Sequence, residues 1–252
     1  MKTKLNFNNK NILVTGGSGF LGSKIVKAFL EFNANVYVMD LKLNKKFKAK
    51  YFIKTDLSKK ENIDRSFNHL KKKNIKIHSL INCINYHSDN TEEYTGNLQS
   101  QSYEIFKSSL DINLTSHFYV IKKFSKLMKN YNSSIINISS IYSFLAPDND
   151  IYKGTSMGNS AAYSSAKGAI NQLTKWFASQ LSPRIRVNCI SLGGVFNNQN
   201  EKFVKKYSKK VLLKRMAKPN EIVGPVLFLA SEMSTYVNGE NIIVDGGLSK
   251  KI

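Results

Sequence analysis

Short apolar segments alternate with longer amphipathic segments along the whole chain. The segments NILVTG, ANVYVMD, YFIKTD, IHSLINC, SSIINISS, IRVNCIS and ENIIVDGG have the length and the β-branched content of buried strands. Between them, segments such as FLGSKIVKAFLEF repeat apolar residues every three or four positions, which predicts amphipathic helices. The alternation predicts an α/β fold in which a seven-stranded parallel sheet carries helices on both faces.

Connections between parallel strands are right-handed, and this rule makes the predicted sheet a doubly wound, Rossmann-type sheet. No segment has the composition of a linker, so we expect residues 1–252 to form a single domain. Helical regions are predicted at residues 101–130, 161–181 and 199–216, among others.

Cysteine content and hydropathy bear on the compartment. Cys83 and Cys189 lie far apart in apolar runs, and their spacing suits neither a metal site nor a disulfide framework, so no metal is expected. No apolar run has the length of a membrane span, and the first residues lack the pattern of a signal peptide. We expect a cytoplasmic protein that does not associate with membranes.

The net charge of +21, from 38 basic and 17 acidic residues, raises the question of nucleic-acid binding. Only four of the basic residues are arginines, and the lysines are scattered among many asparagines and isoleucines. This mixture is typical of compositional drift, so we expect no nucleic-acid partner. A positive field could still attract an anionic substrate.

Four glycines fall within seven positions directly after the first predicted strand. Glycine permits a tight turn and lets the backbone approach a pyrophosphate, while the N-terminus of the following helix offers free N–H groups. The loop therefore predicts a dinucleotide-binding site rather than a plain turn. The residues predicted to form it are Gly16, Ser18, Gly19, Phe20, Leu21 and Gly22.

Asp40 ends the second predicted strand, 24 residues after Gly16. A carboxylate at this point can accept hydrogen bonds from the adenosine ribose and repels a 2′-phosphate, so we expect NAD rather than NADP. Lys42, Lys45 and Lys46 follow closely and could serve a 2′-phosphate, so NADP stays possible.

Tyr163 and Lys167 lie four residues apart in YSSAK, which places them on one face of the predicted helix 161–181. A cation beside a phenol favours the phenolate and lowers the pKa of the tyrosine. The pair therefore predicts a general acid/base.

Taken together, VTGGSGFLG, TDL, INCIN, DINLTSHF, NISS, YSSAK and RVNCISLGGV resemble, in order, the motifs of the compact branch of the short-chain dehydrogenase/reductase family. The resemblance implies that Tyr163 is the acid/base, that Lys167 lowers its pKa and binds the nicotinamide ribose, and that Ser140, rather than Ser139, binds the reacting oxygen. Asn113 would hold a water in a proton relay.

The resemblance also implies a cofactor NAD or NADP and a homotetramer or homodimer. Besides Tyr163, Lys167 and the glycine loop, it assigns cofactor contacts to Asp40, Leu41, Asp56, Leu57, Asn82, Cys83, Ile84, Gly193, Val195 and Asn197.

Several positions depart from the family pattern. Ile84 and Asn85 stand where small residues are usual, and Leu192 replaces a proline. Ser140 and Tyr163 are 23 residues apart, which is more than the family's usual spacing. The insertion 141–162 lies between two catalytic positions, so it borders either the substrate or an oligomer contact.

The substrate contacts predicted from the residues are Tyr152 and Thr155 in the insertion and Arg215 in the predicted helix 199–216. The chain is more narrowly similar to short-chain dehydrogenases associated with bacterial surface polysaccharides and flagellin glycans. This resemblance implies a sugar, a sugar phosphate or a nucleotide-sugar as the substrate.

We therefore expect an NAD(P)-dependent oxidoreductase that interconverts a secondary alcohol and a ketone. The alternatives are an epimerase or dehydratase that retains NAD, and a non-catalytic cofactor-sensing protein. The glycine spacing at 16, 19 and 22 is more often seen in the longer, sugar-nucleotide-acting branch of the family, so by itself it does not select the reaction.

Overall fold

The computed structural model describes residues 5–44, 51–128 and 132–250 of the chain. Within these residues a seven-stranded sheet has the order β3-β2-β1-β4-β5-β6-β7, and every neighbouring pair is parallel. The predicted doubly wound parallel sheet is therefore confirmed. Its strands are β1 Asn11–Thr15, β2 Asn35–Asp40, β3 Tyr51–Lys54, β4 Ser79–Asn82, β5 Ser133–Ser140, β6 Ile185–Leu192 and β7 Asn241–Val244.

Helices connect the strands across both faces of the sheet. The α-helices are α1 Phe20–Glu31, α2 Lys60–Lys72, α3 Thr91–Thr95, α4 Tyr103–Leu110, α5 Ser116–Phe124, α6 Ala161–Leu181, α7 Glu201–Lys210 and α8 Val223–Ala230. No helix in the described part of the chain combines the length and the apolar character needed to cross a membrane.

The core has two layers because alternate strand residues point to opposite faces of the sheet. In β1, Leu13 packs with residues of α2, α5 and α6, whereas Ile12 and Val14 pack with residues of α1 and α8. All three side chains are fully buried. The helices cover the two faces of the sheet, and the loops that follow the strands emerge at its carboxyl edge.

The region predicted to be helical, residues 101–130, is helical from Tyr103 to Leu127, with a change of helix type inside it, and residues 129–130 lie outside the described residues. After α4, residues Asp111–Thr115 form a π-turn, in which the Ser116 N–H bonds to the Asp111 carbonyl oxygen, and the helix resumes as α5. A π-turn leaves part of the regular hydrogen-bond ladder unused and is often found at functional sites. This one carries Asn113.

The helix predicted over residues 199–216 is shorter than expected. It covers Glu201–Lys210, and Val211 then adopts an extended backbone. Val211 and Met216 are buried together with Phe203 and Tyr207. The chain leaves the helix after Lys210 because burying both Val211 and Met216 against α7 requires it to fold back.

Candidate active site

A cleft of about 1100 Å³ lies along the carboxyl edge of the sheet, where doubly wound sheets bind their ligands. One end is lined by the glycine loop and the residues after β2 and β3. The other end is lined by the residues after β5, part of the insertion, α6 and α7. The predicted cofactor and catalytic residues line this one cleft, except Ser18, Asn82 and Asn113.

The glycine loop is crowded at two of its glycines. Gly16 has φ +66°, and a Cβ there would lie 2.6 Å from the Cys83 carbonyl oxygen. A Cβ on Gly22 would collide with the Gly16 carbonyl oxygen, so the loop and the first turn of α1 are in direct contact. Gly19, the N-cap of α1, lines the cleft. The loop thus turns the N-terminus of α1 towards the cleft.

Phe20 begins α1 between Gly19 and Gly22 of the glycine loop. Its side chain is 38% exposed and lines the cleft together with Leu21. The loop accommodates the unusual spacing because its close backbone contacts are made at Gly16 and Gly22 and not at position 20.

Asp40 lies at the end of β2 and lines the cleft beside Leu41. Its Oδ2 accepts a hydrogen bond from the Ser18 N–H at 2.8 Å. Ser18 therefore orients the carboxylate rather than lining the cleft itself. Lys42 is exposed and outside the cleft lining, and Lys45 and Lys46 lie outside the described residues.

The predicted catalytic residues Ser140, Tyr163 and Lys167 line the same part of the cleft. Ser160 caps α6 by accepting a hydrogen bond from the Tyr163 N–H at 3.4 Å. The Lys167 Nζ lies 5.4 Å from the centre of the Tyr163 ring and donates a hydrogen bond to the Ile138 carbonyl oxygen at 3.1 Å. Helix α6 thus presents both side chains to the end of β5.

The structure distinguishes Ser140 from Ser139. The Ser139 hydroxyl donates to the Lys167 carbonyl oxygen at 3.1 Å and ties β5 to α6. The Ser140 hydroxyl accepts a hydrogen bond from the Tyr142 N–H at 3.2 Å. It also forms a hydrogen bond with the Tyr163 side chain, which lowers the pKa of Tyr163. This geometry favours Ser140 as the residue beside the reacting group.

Burial dominates the protonation of the pair. It raises the pKa of Tyr163 to about 12, and the Ser140 hydroxyl lowers that pKa only in part. Burial also lowers the pKa of Lys167 to about 8. The net direction of the Tyr163 pKa is therefore upward rather than the expected lowering, because desolvation of the phenolate is the largest cause.

Two predicted asparagines lie behind the cleft rather than along it. The Asn113 Oδ1 accepts a hydrogen bond from the Tyr86 N–H at 2.7 Å, and its amide donates to Ser109 at 3.0 Å. Asn82 bonds to Asn137 at 2.9 Å inside the sheet. Both side chains are fully buried, so they position the strand ends and the loop after β4.

The remaining predicted cofactor residues lie at the cleft. Val195 also pairs with Ala217 in a parallel bridge that closes this side of the site. The residues of this group that line the cleft are Asp56, Leu57, Cys83, Ile84, Gly193, Val195 and Asn197.

Of the three predicted substrate contacts, only Tyr152 lines the cleft. The Thr155 hydroxyl donates a hydrogen bond to the Tyr152 carbonyl oxygen at 2.7 Å and so stabilises a turn within the insertion. Arg215 forms two hydrogen bonds to the Glu221 carboxylate, one at 2.6 Å and one at 2.7 Å. Neither is part of the cleft lining, because local partners hold both side chains elsewhere.

Sequence reasoning missed several residues at the substrate end of the cleft. Phe203 and Tyr207 are four residues apart on the buried face of α7, a spacing that could have indicated them. No local pattern distinguishes Tyr142 or Met216, because their places depend on the packing of the insertion against α7. The missed lining residues are Tyr86, His87, Tyr142, Phe203, Tyr207 and Met216.

Comparison with known proteins gives the family. A family model described as Enoyl-(Acyl carrier protein) reductase matches residues 19–249. The chain is 31% identical over 254 residues to "Post-translational flagellin modification protein A" of Campylobacter coli, which covers 95% of this chain and 98% of that protein. It is 29% identical over 259 residues to "Probable galactose dehydrogenase GalD" of Rhizobium meliloti, with 95% of each chain covered.

Among solved structures, a short-chain dehydrogenase from Leptospira borgpetersenii with bound NAD⁺ superposes with a TM-score of 0.88. It is 33% identical, and the match covers 99% of this chain and 96% of that chain. The chain therefore belongs to the short-chain dehydrogenase/reductase family and is an oxidoreductase of that family. The expected resemblance to flagellin-modification proteins is confirmed by the Campylobacter relative.

Proposed function

We propose that the protein interconverts a secondary alcohol and a ketone with a nicotinamide cofactor, and that Tyr163 is the proton-transferring residue. One observation carries this proposal: Tyr163, Lys167 and Ser140 meet at one end of a cleft whose other end is the glycine loop. A proton-transfer group and a pyrophosphate cradle in one cleft are the two parts that such a reaction needs.

The residues of the glycine loop fit a dinucleotide. Gly16 and Gly22 leave no room for a Cβ, and the N-terminus of α1 faces the cleft, which suits a pyrophosphate. The Leptospira relative has NAD⁺ bound. We infer a preference for NAD because the Asp40 carboxylate, oriented by Ser18, favours a free ribose over a 2′-phosphate.

When bound, the nicotinamide supplies the acceptor or the donor of the hydride. In the oxidation direction, the Tyr163 hydroxyl group, as phenolate, takes the proton of the substrate hydroxyl. In the reduction direction, the same phenol gives a proton to the carbonyl oxygen. The Ser140 hydroxyl donates a hydrogen bond to that oxygen and stabilises the charge that develops there.

Lys167 and Asn113 support this proton transfer. The Lys167 ammonium beside the Tyr163 ring favours the phenolate form. Asn113, on the π-turn, holds the loop after β4 through the Tyr86 N–H and is the proposed end of a proton relay. Burial raises the pKa of Tyr163, which favours the phenol, the form that gives the proton in ketone reduction.

For the substrate we propose a carbohydrate derivative. This proposal is supported by relatives named for galactose oxidation and flagellin modification. We also propose a homotetramer or homodimer, as the family resemblance implies.

The test uses purified protein with NAD(H) and NADP(H) and follows NADH absorbance with galactose and arabinitol as first probes. The Tyr163→Phe variant is expected to bind NADH normally and to lose at least about 10²-fold in kcat, because it lacks the transferable proton. The matched control is Tyr119→Phe, which removes a hydroxyl bonded to Asp64 on the outer side of α5.

Two results would contradict the proposal. One is the absence of NADH and NADPH binding by the wild-type protein in a fluorescence titration. The other is a Tyr163→Phe variant whose kcat equals that of the Tyr119→Phe control.

A further inference from the structure

Two tyrosine hydroxyls meet at the substrate end of the cleft. Both lie in the insertion 141–162: Tyr142 in its first turn, two residues beyond Ser140, and Tyr152 ten residues further on. Their oxygens are 2.6 Å apart, and both residues line the cleft. The contact therefore ties the middle of the insertion to its first turn, next to the proposed catalytic serine.

Such a pair has defined hydrogen-bonding capacity. One hydroxyl donates to the other, so the accepting hydroxyl keeps its own proton for a third group, and the Asn159 side chain is a further hydrogen-bond partner of Tyr152. Burial raises the pKa of Tyr142 and that of Tyr152, so both phenols stay neutral. The pair therefore offers a hydrogen-bond donor next to an acceptor. An alcohol group can bind to both, because its hydroxyl donates and accepts hydrogen bonds.

The wall around this pair is apolar and aromatic. The Tyr152 ring stacks on Phe203 at 5.5 Å between ring centres and 27° between planes. Tyr207, Met157 and Met216 complete this wall of the cleft. Clefts of this kind bind a small organic ligand through apolar contact and orient it with a few polar groups.

Cationic side chains are scarce at this end. Among the described residues that line the cleft, Lys167 is the one lysine or arginine, and its ammonium is bonded to the Ile138 carbonyl oxygen. The carboxylates of Asp40 and Asp56 lie at the cofactor end. A phosphate at the substrate end would therefore lose its hydration without gaining a counter-charge, which is costly.

Two lysines of α7 are engaged with the insertion. The Lys206 ammonium donates to the carbonyl oxygens of Asp150 at 2.9 Å and Lys153 at 2.8 Å. The Lys210 ammonium pairs with Asp148 at 3.0 Å. These two lysines hold the insertion against α7, and neither they nor Arg215, which is bonded to Glu221, lines the cleft.

We propose that the Tyr142–Tyr152 hydroxyl pair is a specificity site that binds a second hydroxyl group of an uncharged, polyhydroxylated substrate, a free sugar or polyol. This inference rests on the proposed function and narrows its substrate from carbohydrate derivatives in general to those without a phosphate.

The experiment measures kcat and KM for uncharged probes and for charged counterparts. The uncharged probes are galactose, glucose and arabinitol, and the charged ones are galactose 6-phosphate, UDP-galactose and acetoacetyl-coenzyme A. The best uncharged probe is expected to exceed every charged probe at least about tenfold in kcat/KM. Wild type, Tyr142→Phe, Tyr152→Phe, the double variant and the control Tyr119→Phe are compared.

Each single variant is expected to raise KM for the best uncharged probe by about tenfold, the effect of one lost hydrogen bond, with kcat changed less than about twofold. The double variant is expected to be little worse than either single variant, because the two hydroxyls act as a unit. NADH affinity and the thermal unfolding midpoint check that each variant is folded.

Faster turnover of a charged probe would overturn this inference, and so would an unchanged KM in both single variants. In either case NADH binding and turnover would leave the proposed function standing. Loss of cofactor binding and of turnover with every probe would instead overturn the proposed function.

Discussion

The Lys167 ammonium lies 5.4 Å from the centre of the Tyr163 ring, and its hydrogen bond goes to a backbone carbonyl rather than to a carboxylate. The residue is only 3% exposed. A buried cation bonded to a carbonyl rather than to a carboxylate costs folding free energy, and such a cost is typical of the catalytic role that we propose for Lys167. The proposed chemistry therefore requires a buried charge at Lys167 that lowers the stability of the fold.

The Lys167→Met variant is expected to be more stable and inactive. The pKa of Lys167 is lowered from 10.5 to about 8 in the folded chain. Between pH 8 and 10.5 the unfolded chain binds this proton more tightly, so stability rises with pH through this window. Below pH 8 the full penalty applies, and methionine removes up to about 3 kcal/mol of it.

Urea unfolding at pH 7 and at pH 10 measures this effect, and the difference between variant and wild type is expected to shrink at the higher pH. The control is Lys175→Met, an exposed position of the same helix. A Lys167→Met variant less stable than the wild type at pH 7 would show that burial of the ammonium is fully compensated.

His117 is expected to limit stability in acid. It is buried on α5, and burial together with the charge of Lys167 lowers its pKa from 6.5 to about 3, against a smaller opposite effect of the Ile112 backbone. Between pH 6.5 and pH 3 the unfolded chain takes up a proton that the folded chain does not, so stability falls as the pH falls. At pH 5 the loss is about 2 kcal/mol.

The His117→Leu variant removes this proton uptake. Its unfolding free energy, measured by urea titration, is expected to fall less than that of the wild type between pH 8 and pH 5. His69→Leu, at an exposed position of α2, is the matched control and should follow the wild-type profile. Parallel profiles for His117→Leu and wild type would contradict the assignment.

Gly22→Ala is expected to damage the cofactor site. The new Cβ would collide with the Gly16 carbonyl oxygen, and the backbone on both sides leaves little room for relaxation. We expect a loss of about 2 kcal/mol or more in the free energy of unfolding and at least about tenfold weaker NADH binding.

The control for this variant is Gly224→Ala, because a Cβ on that helical glycine meets no described atom within 4 Å beyond its chain neighbours and the nearby helix backbone. Alanine there is expected to change the free energy of unfolding by less than about 1 kcal/mol, because its helix propensity is offset by the restriction that Pro225 places on the preceding residue. Equal thermal stability of the two variants would mean that the contact between Gly22 and Gly16 does not constrain the loop.

Asp40→Asn is expected to change cofactor preference. Removing the negative charge at the end of β2 removes its repulsion of a 2′-phosphate, so the ratio of kcat/KM for NADP⁺ to that for NAD⁺ should rise at least about tenfold. Initial rates with both cofactors measure it. Glu31→Gln, which removes an exposed charge at the end of α1, should leave the ratio unchanged. A wild-type enzyme that already prefers NADP⁺ would contradict the role given to Asp40.

The sequence alone determined the α/β class, the seven parallel strands and the glycine loop, because these depend on local patterns: apolar periodicity, β-branched runs and glycine spacing. The Tyr163–Lys167 pair could also be predicted from a local pattern, since a spacing of four on a helix places two side chains on one face.

Only the tertiary structure decided which neighbouring groups share the cleft. It placed the Tyr142 hydroxyl against Tyr152, turned Ser139 towards α6 and Ser140 towards Tyr163, and held Arg215 on Glu221. It also reversed the expected direction of the Tyr163 pKa, because the cost of burying a phenolate depends on every atom packed around it. Burial and long-range pairing arise from segments far apart in the chain, and no local pattern encodes them.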